Sequence, residues 1–146
     1  MISDNTLKEC DEQVMIPNEL NAYEDRIRFI RHHVFSSFYI VFGEKYTEHF
    51  CDFILDLIQR TYVSPIFENG HFIELKWNGE EKDFNNLFPY IYQHRCDYNC
   101  RQADFAGALG CLFHEKHASQ YVSILKYYHP KGLPHIYSES LKIMKL

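Results

Sequence analysis

The sequence predicts a mainly α (α+β) protein, a compact helical domain with one small β-hairpin around residues 62–77. Apolar residues recur every three or four positions along residues 20–41, which is the helical period. A similar pattern follows over residues 44–62. Asn69-Gly70 then stands between two short apolar runs, which is the strongest short hairpin signal. Strands do not alternate with helices along the chain, so a doubly wound nucleotide-binding fold is excluded.

The predicted domain begins with the longest amphipathic pattern in the chain. Residues 1–18 form an extended acidic lead-in, and residues 19–146 form a single globular helical domain. Pro17 followed by asparagine is a helix start signal, and Gly43 ends the first helix. The second helix fits residues 44–62, and the short connection predicts an antiparallel helical hairpin. The stripe of the first helix consists of Leu20, Tyr23, Ile27, Ile30, Val34, Phe38 and Val41.

The middle of the chain changes from the helical period to alternation. Every second residue of the second strand is apolar, which predicts one buried face. These residues are Ile73, Leu75 and Trp77. After the hairpin, Asp83 fits the N-cap of a short helix that ends at Phe88. Pro89 then predicts the start of a further turn.

Three more helices are predicted in the second half of the chain. The first covers residues 104–114, where small residues predict a flat face that another element approaches closely. These small residues are Ala103, Ala106, Gly107, Ala108 and Gly110. The second covers residues 120–128, whose valine and tyrosine content also tolerates a strand. The last helix starts at Pro134. Its predicted buried side consists of Ile136, Tyr137, Leu141 and Met144.

Charge and composition exclude several classes of protein. The formal net charge is −5, so the basic footprint of a nucleic-acid-binding protein is missing, and we expect no nucleic-acid partner. We also expect no membrane partner, because no apolar run reaches the roughly 18 residues of a membrane helix. The acidic N-terminal residues do not fit a signal peptide. The five cysteines cannot all pair internally, which favours a reducing, cytoplasmic location and is compatible with a homodimer without requiring one.

Four residues of the second half could hold zinc, which gives an alternative function as a zinc-stabilised domain. Cys96 and Cys100 are four positions apart, and Cys111 and His114 are three apart. Each pair could therefore lie on one helical face, and thiolates with imidazole suit tetrahedral zinc. The short Cys-x-x-Cys spacing of structural zinc sites does not occur, so our main expectation is a protein without a cofactor.

A second alternative is a cysteine-dependent enzyme in which Cys111 is the nucleophile and His114 the base. Cys111 falls late in its predicted helix, where the helix dipole disfavours a thiolate. Its apolar neighbours also disfavour the charged form by desolvation. We therefore expect no enzymatic activity through this residue.

The leading expectation is a small acidic protein-binding module, a non-enzymatic inhibitor of a basic partner protein. The chain has 12 Phe, 11 Tyr and 1 Trp, and tyrosine is enriched at protein interfaces. In composition and charge the chain resembles two classes of protein. One is the immunity proteins that bacteria pair with toxins, and the other is the small antagonists of phages and viruses. The predicted contact residues are Trp77, Glu80, Glu81 and Asp83, at the end of the hairpin and in the acidic turn after it.

Overall fold

The computed structural model describes residues 17–95, 100–127 and 135–145. The predicted lead-in lies outside these residues up to position 16, as do Cys96 and Pro134. The mainly α fold with a single small hairpin is confirmed. The elements are α1 (Pro17–Gln59), β1 (Val63–Glu68), β2 (His71–Trp77), α2 (Glu81–Arg95), α3 (Gln102–Leu112), α4 (Ala118–Lys126), a 3-10 turn (His135–Tyr137) and α5 (Ser138–Lys142).

Helix α1 is a helical hairpin that reverses direction at Gly43. This glycine has φ 74° and ψ 178°, a conformation outside the helical region that side chains disfavour. Across the bend, the rings of Phe38 and Phe50 lie 4.3 Å apart, and Arg31 donates to Glu48 at 3.0 Å. In one straight helix, Arg31 and Glu48 would lie about 25 Å apart. The predicted antiparallel hairpin is therefore confirmed, with a first arm of residues 17–42 and a second arm of residues 44–59.

The β-hairpin turns at the two residues that the sequence indicated. Asn69 has φ 52° and Gly70 has φ 80°, the pair of positive values that a type I′ turn requires. Leu75 and Trp77 of β2 are buried, and Ile73 on the same face is half-buried. The predicted apolar face of β2 therefore packs on the helices.

Helix α2 differs from its prediction at both ends. It begins at Glu81, and the carbonyl oxygen of Glu80 accepts the amides of Asp83 and Phe84, so Asp83 lies inside the first turn instead of capping it. The helix then continues through Pro89 to residue 95. Proline removes one helical hydrogen bond, but the residues around it are buried in the core, and this packing outweighs the loss.

Helix α3 contacts its neighbours through alanines and larger residues, and not through its glycines. A Cβ atom added at Gly107 or Gly110 would meet no heavy atom within 4 Å. The prediction of a close approach is therefore wrong at these two glycines, and Ala103 is exposed as well. Ala106 and Ala108 are the small residues of α3 that are buried, because they lie on the core side of the helix.

The last described segment buries three of the four residues predicted for it. Tyr137, Leu141 and Met144 are buried, whereas Ile136 is 53% exposed. The buried three are spaced four and three positions apart and form one stripe, and Ile136 lies one residue outside it. The prediction for Ile136 is wrong for this reason.

One continuous core joins these elements, and it is rich in aromatic rings. One group of rings lies near the Gly43 bend of α1 and consists of Phe38, Phe42, Phe50 and Phe105. A second group of rings joins β2, α2, α4 and the C-terminal segment, and it consists of Trp77, Phe84, Phe88, Phe113, Tyr121 and Tyr137. Among the residues described here, no helix has both the length and the apolar character needed to cross a membrane.

Candidate protein-binding surface

Trp77 holds the turn that carries the predicted acidic contact residues. Its indole Nε1 donates to the carbonyl oxygen of Glu80 at 2.9 Å. The ring of Tyr137 stacks on the indole with centroids 5.6 Å apart. Trp77 is only 8% exposed, so it supports the turn from the core and presents little of its ring to solvent.

Gly79 is the residue that allows this turn to lie close to the two rings. A Cβ atom there would lie 3.0 Å from the hydroxyl oxygen of Tyr137 and 3.3 Å from the indole Nε1 of Trp77. The same hydroxyl donates to Asp83 Oδ2 at 3.4 Å. Burial, together with the negative charge of Asp83, raises the pKa of Tyr137 to about 12. Because the Tyr137 hydroxyl keeps its proton, it can donate this hydrogen bond at neutral pH. The bond connects Asp83, which is half-buried, to the C-terminal segment.

The two glutamates of the turn are exposed and have different partners. Glu80 forms an ion pair with Lys82 at 3.4 Å within the turn. Glu81 forms one with Lys116 at 2.7 Å, across to the segment between α3 and α4. The hydrogen bond from Lys116 lowers the pKa of Glu81, and the lysine charge acts in the same direction. The ion pair with Lys116 therefore favours the charged form of Glu81.

A cleft of about 230 Å³ opens beside Glu81, which we call the aromatic cleft. Its wall consists of Trp77, Phe84, Phe113 and Tyr121, and the charged groups that line it are Glu81, Glu115 and Lys116. The hydroxyl of Tyr121 donates to the carbonyl oxygen of Phe113 at 2.9 Å, which fixes the far wall. Burial raises the pKa of Tyr121 to about 12. The wall is therefore uncharged at neutral pH.

Glu115 joins three of the predicted contact residues in what we call the acidic surface, namely Glu80, Glu81, Asp83 and Glu115. Glu115 was not among the predicted contact residues, and it lies beyond α3, far along the chain from the acidic turn. Its only signal in the sequence is its place in the polar stretch His114-Glu115-Lys116-His117. Packing of α2 near α4 brings this stretch to the turn.

Of the predicted zinc ligands, the structure keeps His114 beside Cys111 but separates Cys100 from both. Cys100 precedes α3 and Cys111 lies in its last turn. At 1.5 Å per helical residue these two positions are about 15 Å apart, too far for one metal ion. Cys96 lies outside the described residues. Among the residues that are described, no group of three histidine, cysteine or acidic side chains could hold a metal ion.

The two imidazoles near Cys111 contact its backbone. His114 and His33 both place Nε2 at the carbonyl oxygen of Cys111, at 3.2 Å and 3.0 Å. A carbonyl oxygen can only accept, so each ring donates its Nε2 hydrogen. Carbonyl groups in the last turn of a helix lack a hydrogen-bond donor within the helix. The two histidines supply donors for the carbonyl oxygen of Cys111. This arrangement gives them a role in ending α3, and it leaves Nε2 of His114 engaged away from the thiol.

Comparisons with protein-family models, with curated proteins and with solved structures found no match to this chain. The fold and the surface therefore define it in general terms, as a small helical domain that carries an acidic surface beside an aromatic cleft. Its function has to be argued from that surface.

Proposed function

We propose that this chain is a small acidic protein-binding module that inhibits a basic partner protein by covering part of it, without catalysing a reaction. The observation that carries the proposal is the acidic surface of Glu80, Glu81, Asp83 and Glu115 around the aromatic cleft. The carboxylates supply the attractive field of a protein interface, and the buried rings beneath them hold this surface in a fixed shape.

The rigid support of this surface strengthens the proposal. The hydrogen bond from Trp77 to Glu80, the space left by Gly79 and the bond from Tyr137 to Asp83 hold the turn before any partner arrives. A preorganised surface loses less conformational entropy on binding, so more of the interaction energy remains as affinity. We propose an inhibitor of the immunity-protein or antagonist type, which the chain resembles in composition and charge.

We also propose a cytoplasmic site of action. Cys51 and Cys111 both carry free thiols, and Cys111 is exposed. Exposed thiols persist in a reducing compartment and are oxidised outside it.

The partner can be found with a photo-crosslinking amino acid placed at Glu80 of the full chain. The matched control carries the same amino acid at Glu24, which is exposed on the first arm of α1. After irradiation in cells that produce the chain, mass spectrometry identifies what is linked at each position. We expect a basic protein to be linked at position 80 and not at position 24.

The decisive measurement is the association rate constant of that protein at several salt concentrations. We compare the wild type with E80K/E81K and with E24K/E44K, which changes the net charge by the same amount elsewhere. Electrostatic steering raises association rates by factors of about 10 to 1000, so we expect E80K/E81K to lower the rate about tenfold at low salt. The control should stay within about twofold of the wild type. Equal rates for all three proteins, or an acidic crosslinked protein, would refute the proposal.

A further inference from the structure

The aromatic cleft has the size of one side chain. Its volume of about 230 Å³ is below the roughly 300–1000 Å³ of pockets that bind small metabolites. It is open on one side, at the acidic surface, so a group carried by another protein can enter it. An occupant from a protein surface therefore fits the cleft better than a free cofactor.

The lining of the cleft favours a positively charged occupant. Carboxylates bind ammonium and guanidinium groups by charge-assisted hydrogen bonds. The carboxylates of Glu81 and Glu115 line this cleft, and the four rings of its wall are at most 8% exposed, so they give the cleft a fixed apolar wall beside the two charges. A cationic side chain with an apolar stem fits this combination, whereas an anionic group would be repelled by the carboxylates.

The chain already places a cation of its own in this cleft. The Lys116 side chain lines it, is 24% exposed, and brings its Nζ within 2.7 Å of Glu81 Oε2. The carboxylate partner is 66% exposed, so it remains accessible from outside. The cleft therefore holds an ammonium group in a geometry that a second cation could take over.

We propose that the aromatic cleft binds one lysine or arginine side chain of the partner, and that Lys116 occupies this site until the partner side chain displaces it from Glu81. This inference rests on the proposed function, because it names the chemical group that the acidic surface recognises. Lys116 then acts as an internal competitor, which lowers the affinity of the site for isolated cations and favours a partner with many further contacts.

The test uses small probes with the full chain, so it needs no identified partner. The probes are N-acetyl-lysine methylamide, N-acetyl-arginine methylamide and the uncharged N-acetyl-norleucine methylamide. Trp77 is the single tryptophan of the chain and lines the cleft, so its indole NMR signal and its fluorescence report on occupancy. We expect a saturable change with one or both cationic probes and none with the norleucine probe.

Variants of the ion pair test the role of Lys116. Lys116→Ala removes the competitor, and we expect it to tighten binding of the cationic probe about two- to fivefold, the factor for loss of an exposed ion pair. Glu81→Gln removes the carboxylate and should weaken binding by a similar factor. Lys82→Ala is the matched control, because Lys82 pairs with Glu80 in the same turn without lining the cleft. It should leave the affinity within about twofold of the wild type. Lys116→Gln serves as the second variant if the alanine variant does not fold, as judged by circular dichroism.

Each outcome of the probe experiment decides the inference. A response to the norleucine probe equal to that of the cations, or no saturable response in either the wild type or the Lys116 variant, would overturn the cation site. Unchanged affinity in the Lys116 variant would overturn its role as a competitor. Neither result touches the proposed function, which depends on the partner's association rate with E80K/E81K. If the probes fail while that rate still falls, only the cleft inference is lost.

Discussion

A part-buried hydrogen bond between the second arm of α1 and α5 gives the sharpest prediction about stability. Asp56 Oδ2 accepts from the Ser140 hydroxyl at 2.7 Å and from Arg60 Nε at 2.8 Å. Ser140 is fully buried in α5, directly after the 3-10 turn that ends with Tyr137. Because Tyr137 stacks on Trp77, this bond also holds one support of the acidic surface in place.

The substitutions Asp56→Ala and Ser140→Ala differ in whether they leave a buried polar group without a hydrogen-bond partner. Asp56→Ala leaves a buried serine hydroxyl without its acceptor, so we expect it to lower the free energy of unfolding by about 1–3 kcal/mol. Ser140→Ala removes the hydroxyl itself and leaves Asp56 paired with Arg60, so we expect a smaller loss of about 0.5–1.5 kcal/mol. In the double variant neither group is unsatisfied, and the loss should be less than the sum of the two by about 1 kcal/mol.

Urea unfolding at pH 7 measures this double-mutant cycle, with circular dichroism and Trp77 fluorescence as two probes of the transition. Coincident transitions by both probes justify a two-state free energy. If the two losses add within about 0.5 kcal/mol, Asp56 and Ser140 do not interact, and the reasoning about α5 is refuted.

Three further predictions concern the glycines and the buried titratable groups. Gly79→Ala should destabilise the protein by about 1–3 kcal/mol in urea unfolding, because its Cβ would overlap the two rings beside it. Gly107→Ala should instead stabilise it by about 0.5–1 kcal/mol, because the helix gains a better helix former and its Cβ meets no atom within 4 Å; a loss of stability would show that α3 is more tightly packed there. Burial raises the pKa of Cys51, Tyr121 and Tyr137 to about 12, from ordinary values of 9.0 for the thiol and 10.0 for the phenols. The unfolded chain loses these protons first, so the free energy of unfolding should fall as pH rises from about 9 towards 12, and urea unfolding at pH 8 and pH 10.5 checks this. Equal stability at the two pH values would contradict the burial of these groups.

The features that the sequence predicted correctly depend on neighbours along the chain. Asn69-Gly70 produces the hairpin turn because both positions need positive φ, which these residue types tolerate best. Gly43 marks the reversal of α1 for a related reason. The apolar stripe of the first arm likewise follows from the helical period, which is a local property. Its members Ile30, Val34, Phe38 and Val41 are buried, but Tyr23 is 57% exposed, so the prediction was wrong for Tyr23.

The features that were predicted wrongly depend on packing. Pro89 is a helix breaker by its own chemistry, yet α2 continues through it because the surrounding residues are buried. Gly107 suggested a close helix contact, but the side of α3 on which it lies faces open space. Whether a proline or a glycine in a helix is buried depends on how the whole helix is oriented against the core. The residues next to it in the sequence do not reveal this orientation.

Composition, charge and short-range backbone preferences are therefore sufficient for the mainly α fold class, the helical hairpin of α1 and the β-hairpin, but not for the bounds of α2. The aromatic cleft required the folded chain, because Lys116 and Glu115 reach Glu81 only when α4 packs near α2. The separation of Cys100 from Cys111 likewise appeared only with the length of α3. Contacts between residues distant along the chain arise from how entire elements pack, and that packing is a property of all the core side chains together.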